Sequence, residues 1–155
     1  MVIEYLKELQ KNPYRYGKTH LNNEPIPESE IIHLEQLYNQ GKTFPKALRE
    51  LLFLAGNYCY VLDYGVNESQ EELQEYVREK LEFRNKVISR PFFVIDVYNV
   101  GTQCLFIYLD EGDDPPVYEG FYSDKTSEWI RLISYSLSKY IDTLLVEVKE
   151  GKNPF

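Results

Sequence analysis

Histidine, tryptophan, methionine and cysteine are all scarce: two His, one Trp, one Met and two Cys stand in 155 residues. The two histidines, His20 and His33, lack a second histidine at i+4 and a neighbouring cysteine cluster, so a zinc site is not expected. Two cysteines are too few for a disulfide framework. Cys59 and Cys104 each lie in an apolar run and read as buried, reduced thiols. No apolar run approaches the roughly 20 residues of a membrane span. The opening MVIEYLKELQK is too short and too charged for a secretory signal, so a cytoplasmic location is expected. There is no G-x-S-x-G elbow, no Walker-type loop and no G-x-G-x-x-G after a strand, so neither an enzyme nor a cofactor is expected. Internal repeats and low-complexity segments are missing too. The length fits one domain over residues 1–155, with an N-terminal helix or arm and a loop over 1–27.

Positive charge is in the minority: 17 Lys and Arg against 25 Asp and Glu give a formal net charge of −8. Such a surface repels phosphate backbones, which argues against direct nucleic-acid binding, and it steers a basic protein partner inward. Lys11, Arg15, Lys18 and His20 alternate with Tyr14 and Tyr16, a pattern able to stack on nucleic acid. In a chain this acidic it is the weaker reading.

Tyrosine is what the chain has in quantity, with 14 Tyr and 8 Phe. A tyrosine packs its ring and still bonds through its hydroxyl, so it serves both sheet faces and protein interfaces. Helical spacing appears first in Ile3, Leu6 and Leu9, and again from Pro27 to Gln40 with the stripe Ile31, Leu34, Leu37 and Tyr38. Between Thr43 and Asp63 the chain reads as a helix opened by Pro45, a left-handed glycine cap at Gly56, and a buried strand Tyr58–Leu62. A further helix runs from about Ser69 to Arg84, where Ser69 and Glu72 have capping-box spacing and Asn67 is a rival cap. Its core residues are Leu73, Tyr76, Val77 and Leu81. Its other face carries Glu68, Glu71, Glu72, Glu75 and Glu79, either a solvated face or an acidic docking surface.

Three strands follow, Phe92–Asn99, Gln103–Leu109 and Val117–Tyr122, with a tight turn at Asn99–Thr102. Their short connections argue for an antiparallel meander. In the first, Phe93, Ile95 and Val97 alternate with Phe92, Val94, Asp96 and Tyr98. The last stripe, Ile130, Ile133, Leu137, Ile141, Leu144 and Val148, reads as one amphipathic helix beginning near Asp124 or Ser127, with a break allowed at Ser134, Ser136 and Ser138. The fold class expected is α+β, helices packed on a mainly antiparallel sheet.

One loop concentrates acid: Asp110, Glu111, Asp113 and Asp114, ending in two prolines. An EF-hand wants glycine at its sixth position and glutamate at its twelfth. Here glycine is third and Phe121 twelfth, so the loop reads as a metal-free interface element or a solvated turn.

The order of elements resembles the SUKH superfamily, the Smi/Knr-like fold. Ile31-Ile32-His33-Leu34-Glu35 matches its early helix, Phe44-Pro45 opens the next, and Ala55-Gly56-Asn57 stands at its stop. Val117-Tyr118 and Ser136-Leu137-Ser138-Lys139-Tyr140-Ile141 are also similar, over about Ile31 to Val148. The usual Asn-Gly-Gly stop is replaced. The resemblance implies a non-catalytic bacterial immunity protein that binds and neutralises a cognate, basic toxin domain, in some members a nuclease. Regulatory scaffolds of the same fold are the alternative. On the toxin-immunity reading the binding residues are Asp110, Glu111, Asp113 and Asp114 with Tyr118 and Tyr122 as aromatic anchors, and Glu68, Glu71, Glu72 and Glu75 on the acidic helix. A small hydrolase or ligand-binding domain built on Asp96 or the acidic loop is a third possibility, one that requires a concave pocket.

Overall fold

Pro27 and Pro45 stand at the N-caps of two helices, α2 (Glu28–Tyr38) and α3 (Lys46–Ala55), where proline's missing N–H costs nothing. The computed structural model describes residues 1–15, 17–98 and 101–153, without the side chains of residues 18–20. Tyr16, the Asn99–Val100 part of the expected turn and the last two residues lie outside the described residues. Before α2 come α1 (Lys7–Lys11), in the stretch expected as a helix or arm, and a hairpin of β1 (Tyr14–Arg15) and β2 (Lys18–Asn22), where a loop was expected. After α3 come α4 (Gln70–Phe83), strands β3 (Phe92–Tyr98), β4 (Gln103–Tyr108), β5 (Val117–Phe121) and β6 (Ile130–Ser134), and α5 (Leu137–Lys149).

The expected meander is present and one strand longer: β3-β4-β5-β6 form a four-stranded antiparallel sheet in sequence order. The chain is α+β, with helices on both faces of that sheet. On one face α1, α2, α3 and α5 bury Leu6, Ile31, Leu48, Leu51 and Ile141 against Phe93, Ile95, Leu105, Ile107 and Val117. On the other face α4 is the helix that covers the sheet among the described residues, packing Leu73, Val77 and Leu81 on Phe92, Val94, Val97, Cys104 and Phe106. Both cysteines are free and buried, and burial pushes each thiol up to about 12.

Several expectations change. Tyr58–Leu62 is not a strand: Tyr58 makes one isolated bridge to Glu24, and the rest is a buried turn. Here the main chain is satisfied by side chains, Tyr60 N–H donating to Asn23 Oδ1 (3.0 Å) and Asp63 N–H to Asp96 Oδ1 (3.2 Å). Gly56 is right-handed, at φ −71°, so it is no left-handed cap. It must be glycine for another reason: a Cβ there would lie 2.5 Å from Leu52 O and 2.7 Å from Ile26 Cγ1. The α2 stripe also shifts, since Leu37 is exposed and Glu35 is buried, its Oε1 accepting from Arg49 Nε (2.7 Å) and Phe44 N–H (2.9 Å).

The long C-terminal helix divides where the serines allow. Ile130 and Ile133 belong to β6, and α5 begins after Ser136, whose Oγ accepts from Lys139 N–H (3.2 Å). Before α4, Ser69 Oγ accepts from Glu72 N–H (3.1 Å) as the spacing implies, while Glu72 reaches back to Glu68 N–H (2.8 Å). Asn67 instead donates to Tyr64 O (2.9 Å).

A bulge between Val94 and Asp96 reverses the alternation of β3. Val97 therefore joins Phe92 and Val94 on the α4 side, while Tyr98 packs with Phe93 and Ile95 on the other. The outer edge of β3 is closed as well. Gln74 of α4, fully buried, donates to Val94 O and accepts from Val94 N–H, both at 2.8 Å. Arg78 donates to Phe92 O (3.0 Å), and Val97 N–H donates to Asp63 O (2.8 Å).

Gln74→Leu strands both main-chain groups of Val94 in an apolar site. The expected loss is about 2–4 kcal/mol in urea unfolding, against under about 0.5 kcal/mol for the exposed Gln36→Ala.

Candidate functional site

Most of the carboxylates in the acidic loop are engaged within the chain. Arg90 Nη2 donates to Asp110 Oδ1 (2.6 Å) and Glu111 Oε1 (3.0 Å), and its guanidinium lies 3.9 Å from the centre of the Tyr108 ring. The Arg90 hydrogen bond holds the Asp110 carboxyl below its usual range. Tyr118 donates its hydroxyl to Glu111 (3.1 Å) and packs its ring 4.9 Å from that of Tyr108. Asp110, Glu111 and Tyr118 are thus brought together, but around a cation the chain supplies itself.

Asp114 works on α5. Its Oδ1 accepts from Ser138 N–H (2.9 Å) and its Oδ2 from the Ser138 hydroxyl (2.5 Å). With Leu137 N–H on Pro115 O (2.8 Å) and Lys139 N–H on Ser136, the first turn of α5 is fully satisfied. The main-chain oxygen of Asp113 likewise accepts from Ala47 N–H in the first turn of α3 (2.9 Å). Among the described residues the Asp113 carboxylate is exposed and has no partner. Tyr122, expected as an exposed anchor, is 2% exposed and belongs to the core beneath α4. It cannot present its ring to a partner, because the sheet's α4-facing side is closed over it.

The acidic helix is different. Glu68, Glu71, Glu72, Glu75 and Glu79 are all exposed along α4 and its entry. Among the described residues no Lys or Arg lies within ion-pair distance of any of them. Glu71 meets His33 Nε2 (3.1 Å) and Glu75 accepts from the Tyr38 hydroxyl (2.7 Å). Arg78, the nearest candidate cation on the helix, is turned inward. Its guanidinium stacks between Tyr38 (4.6 Å) and Phe92 (4.0 Å) and bonds to the edge of β3. Burial, then the bond to Glu75, raises the Tyr38 hydroxyl well above its ordinary range, so it stays a donor. Glu71 and Glu72 gain from the helix dipole in the first turn. Glu75 and Glu79 lie beyond it, and like charges four residues apart each cost roughly 0.2–0.5 kcal/mol.

Asp96 was the other acid of interest. It is 5% exposed, and its carboxyl is pushed up to about 8, chiefly by burial, so it is neutral through mildly acidic pH. It sits against main-chain N–H groups and the core, and three open grooves among the described residues are lined by other residues. One of them, about 420 Å³, runs along Arg78, Lys86, Val87, Ile88 and Phe92 and contains none of the expected site residues. Among the described residues no group of three or more His, Cys, Asp or Glu is placed to hold a metal ion. No described helix is long and apolar enough to cross a membrane. The reading of the sequence missed Arg90 and the exposed apolar strand β6. A cation in the linker after an acidic helix and an apolar pair inside a presumed helix carry no local signal of their placement.

No protein-family model matches the chain, and no curated protein is significantly similar to it.

Two tests follow from these contacts. Asp114→Ala removes the bonds to Ser138 and should cost about 1–2 kcal/mol, whereas Asp113→Ala should be nearly neutral in the same urea titration. For Asp96 the folded carboxyl titrates near 8 and the unfolded one near 4, so between those values only the folded chain keeps the proton. Stability then falls with rising pH by about 1.4 kcal/mol per unit from this group. Asp96→Asn should remove that slope, its advantage over wild type growing from pH 5 to 8. A difference flat across that range would show that the buried acid is already ionised.

Proposed function

We propose that the protein is a binding module that docks a basic partner protein on the outer face of α4. Within that class the reading is an immunity protein that neutralises a toxin domain, as the resemblance to the SUKH superfamily implies. The observation that carries it is the ladder Glu68–Glu72–Glu75–Glu79, held on a rigid helix with no Lys or Arg partner among the described residues. A solvated helix gains nothing from like charges repeated past its first turn. A cationic partner turns that cost into attraction and speeds encounter. Tyr38, fixed beside Glu75 by its hydroxyl, supplies an aromatic edge to the same surface.

The acidic loop is secondary in this reading. Arg90 already pairs with Asp110 and Glu111, offsetting one of their two charges, and Asp114 caps α5, which leaves Asp113 as its one uncommitted carboxylate among the described residues. The salt dependence of binding should therefore follow α4.

The test begins with capture of the partner on immobilised protein, its identification, and co-expression to see whether this chain relieves the partner's toxicity. Reversing Glu72, Glu75 and Glu79 to Lys should raise the Kd about 100-fold or more and flatten its dependence on salt. Reversing Asp113 alone should change it by less than about 3-fold. A triple variant that folds, by circular dichroism, and binds as wild type does would refute the assignment to α4. Relief of toxicity distinguishes immunity from a scaffold.

A further inference from the structure

The two edges of the sheet are treated in opposite ways. At β3 every outward main-chain group described above has a partner: Arg78 on Phe92, Gln74 on both groups of Val94, Asp63 on Val97. At β6 the phase of the ladder is set by Phe121 N–H donating to Trp129 O (2.9 Å) and by the Glu119–Arg131 pairing. Arg131 therefore faces β5, and Ile130 and Leu132 turn their N–H and C=O outward. No hydrogen bond from elsewhere among the described residues meets those groups. The side chains are apolar as well: Leu132 is 45% exposed, Ile133 40% and the following Tyr135 81%. An open apolar edge of this kind is a template for another strand, and proteins normally blunt it.

We propose that β6 pairs antiparallel with β6 of a second copy of this chain, about a two-fold axis through Leu132. The unsatisfied groups are main-chain donors and acceptors in alternation, so the occupant must be an extended strand. Charge selects the register. Centring on Arg131 would set two guanidinium groups opposite each other. Centring on Leu132 sets the two leucines together and Arg131 against the apolar Ile133, with each Arg131 keeping its own Glu119 (3.8 Å). The protected edge selects the number of copies. Once β6 is paired, both outer edges of the joined eight-stranded sheet are β3 strands already closed by α4 and Asp63, so growth stops at a dimer. The bulge beside Ile133 shortens the regular run and keeps the association weak. Because the axis is perpendicular to the sheet, both copies carry α4 on the same side. A dimer thus presents two acidic helices to one partner surface. The pairing itself does not depend on what α4 binds.

Sedimentation velocity on the full chain, from low micromolar to about 1 mM, should show a dimer fraction that grows with concentration. Leu132→Lys, at an exposed position, should weaken the dimer at least about tenfold while leaving the thermal unfolding midpoint in place. Leu132→Cys tests the register directly. A hydrogen-bonded pair sets its Cα atoms about 5.5 Å apart, within disulfide reach, and the native cysteines are buried. Under mild oxidation it should crosslink quantitatively, and Val66→Cys, at a residue 97% exposed and far along the chain from β6, should not. A chain that stays monomeric to 1 mM, a dimer indifferent to Leu132→Lys, or a Leu132→Cys variant that crosslinks no faster than Val66→Cys overturns the pairing.

Discussion

A strand buried on both faces and along one edge has nowhere to send its outward N–H and C=O groups, and β3 is such a strand. The amide of Gln74 answers both groups of Val94 at once, as a neighbouring strand would. That contact sets where α4 crosses the sheet, and with it which residues of α4 face outward. The bulge beside it brings Val97 to the α4 side and leaves Asp96 buried near Asp63. The placement of the acidic helix thus depends on one fully buried side-chain amide.

The same logic sorts the carboxylates. Glu35, Glu50, Asp96 and Asp114 are committed to the interior or to helix ends; Glu50 alone accepts three main-chain N–H groups, from Glu4, Tyr5 and Leu6. Asp110 and Glu111 are shared with Arg90. On the outward stripe of α4, Glu72 reaches back to Glu68 N–H, Glu75 accepts from Tyr38 and Glu71 meets His33, but among the described residues no Lys or Arg is paired with it. The acid left without a Lys or Arg partner among the described residues therefore includes a continuous stripe along one helix.

Position in the sheet also separates two surfaces by chemistry. The outer face of α4 is charged and suits an electrostatic encounter, whereas β6 offers main chain and apolar side chains and suits strand pairing. Arg90, with Tyr108 and Tyr118, ties Asp110 and Glu111 of the acidic loop into a packed corner.

Local pattern was enough for the helices Glu28–Tyr38, Lys46–Ala55 and Gln70–Phe83, for three strands of the meander and for the α+β class, because period, proline entry and Ser69 capping are properties of neighbours in the chain. It was also enough to mark both acidic segments. It could not divide Ile130–Ser134 from the helix after it, since Ile130, Ile133 and Leu137 fit a helical stripe until β5 supplies a partner strand. Nor could it deny Tyr58–Leu62 a strand, when the failure lies in having no neighbour to pair with. Which acids are free was decided by contacts between residues far apart in sequence: Arg90 reaches the loop, Asp114 reaches Ser138, and Arg78 turns inward to Phe92. Composition determined how much negative charge the chain carries; only the packing decided where that charge is left uncompensated.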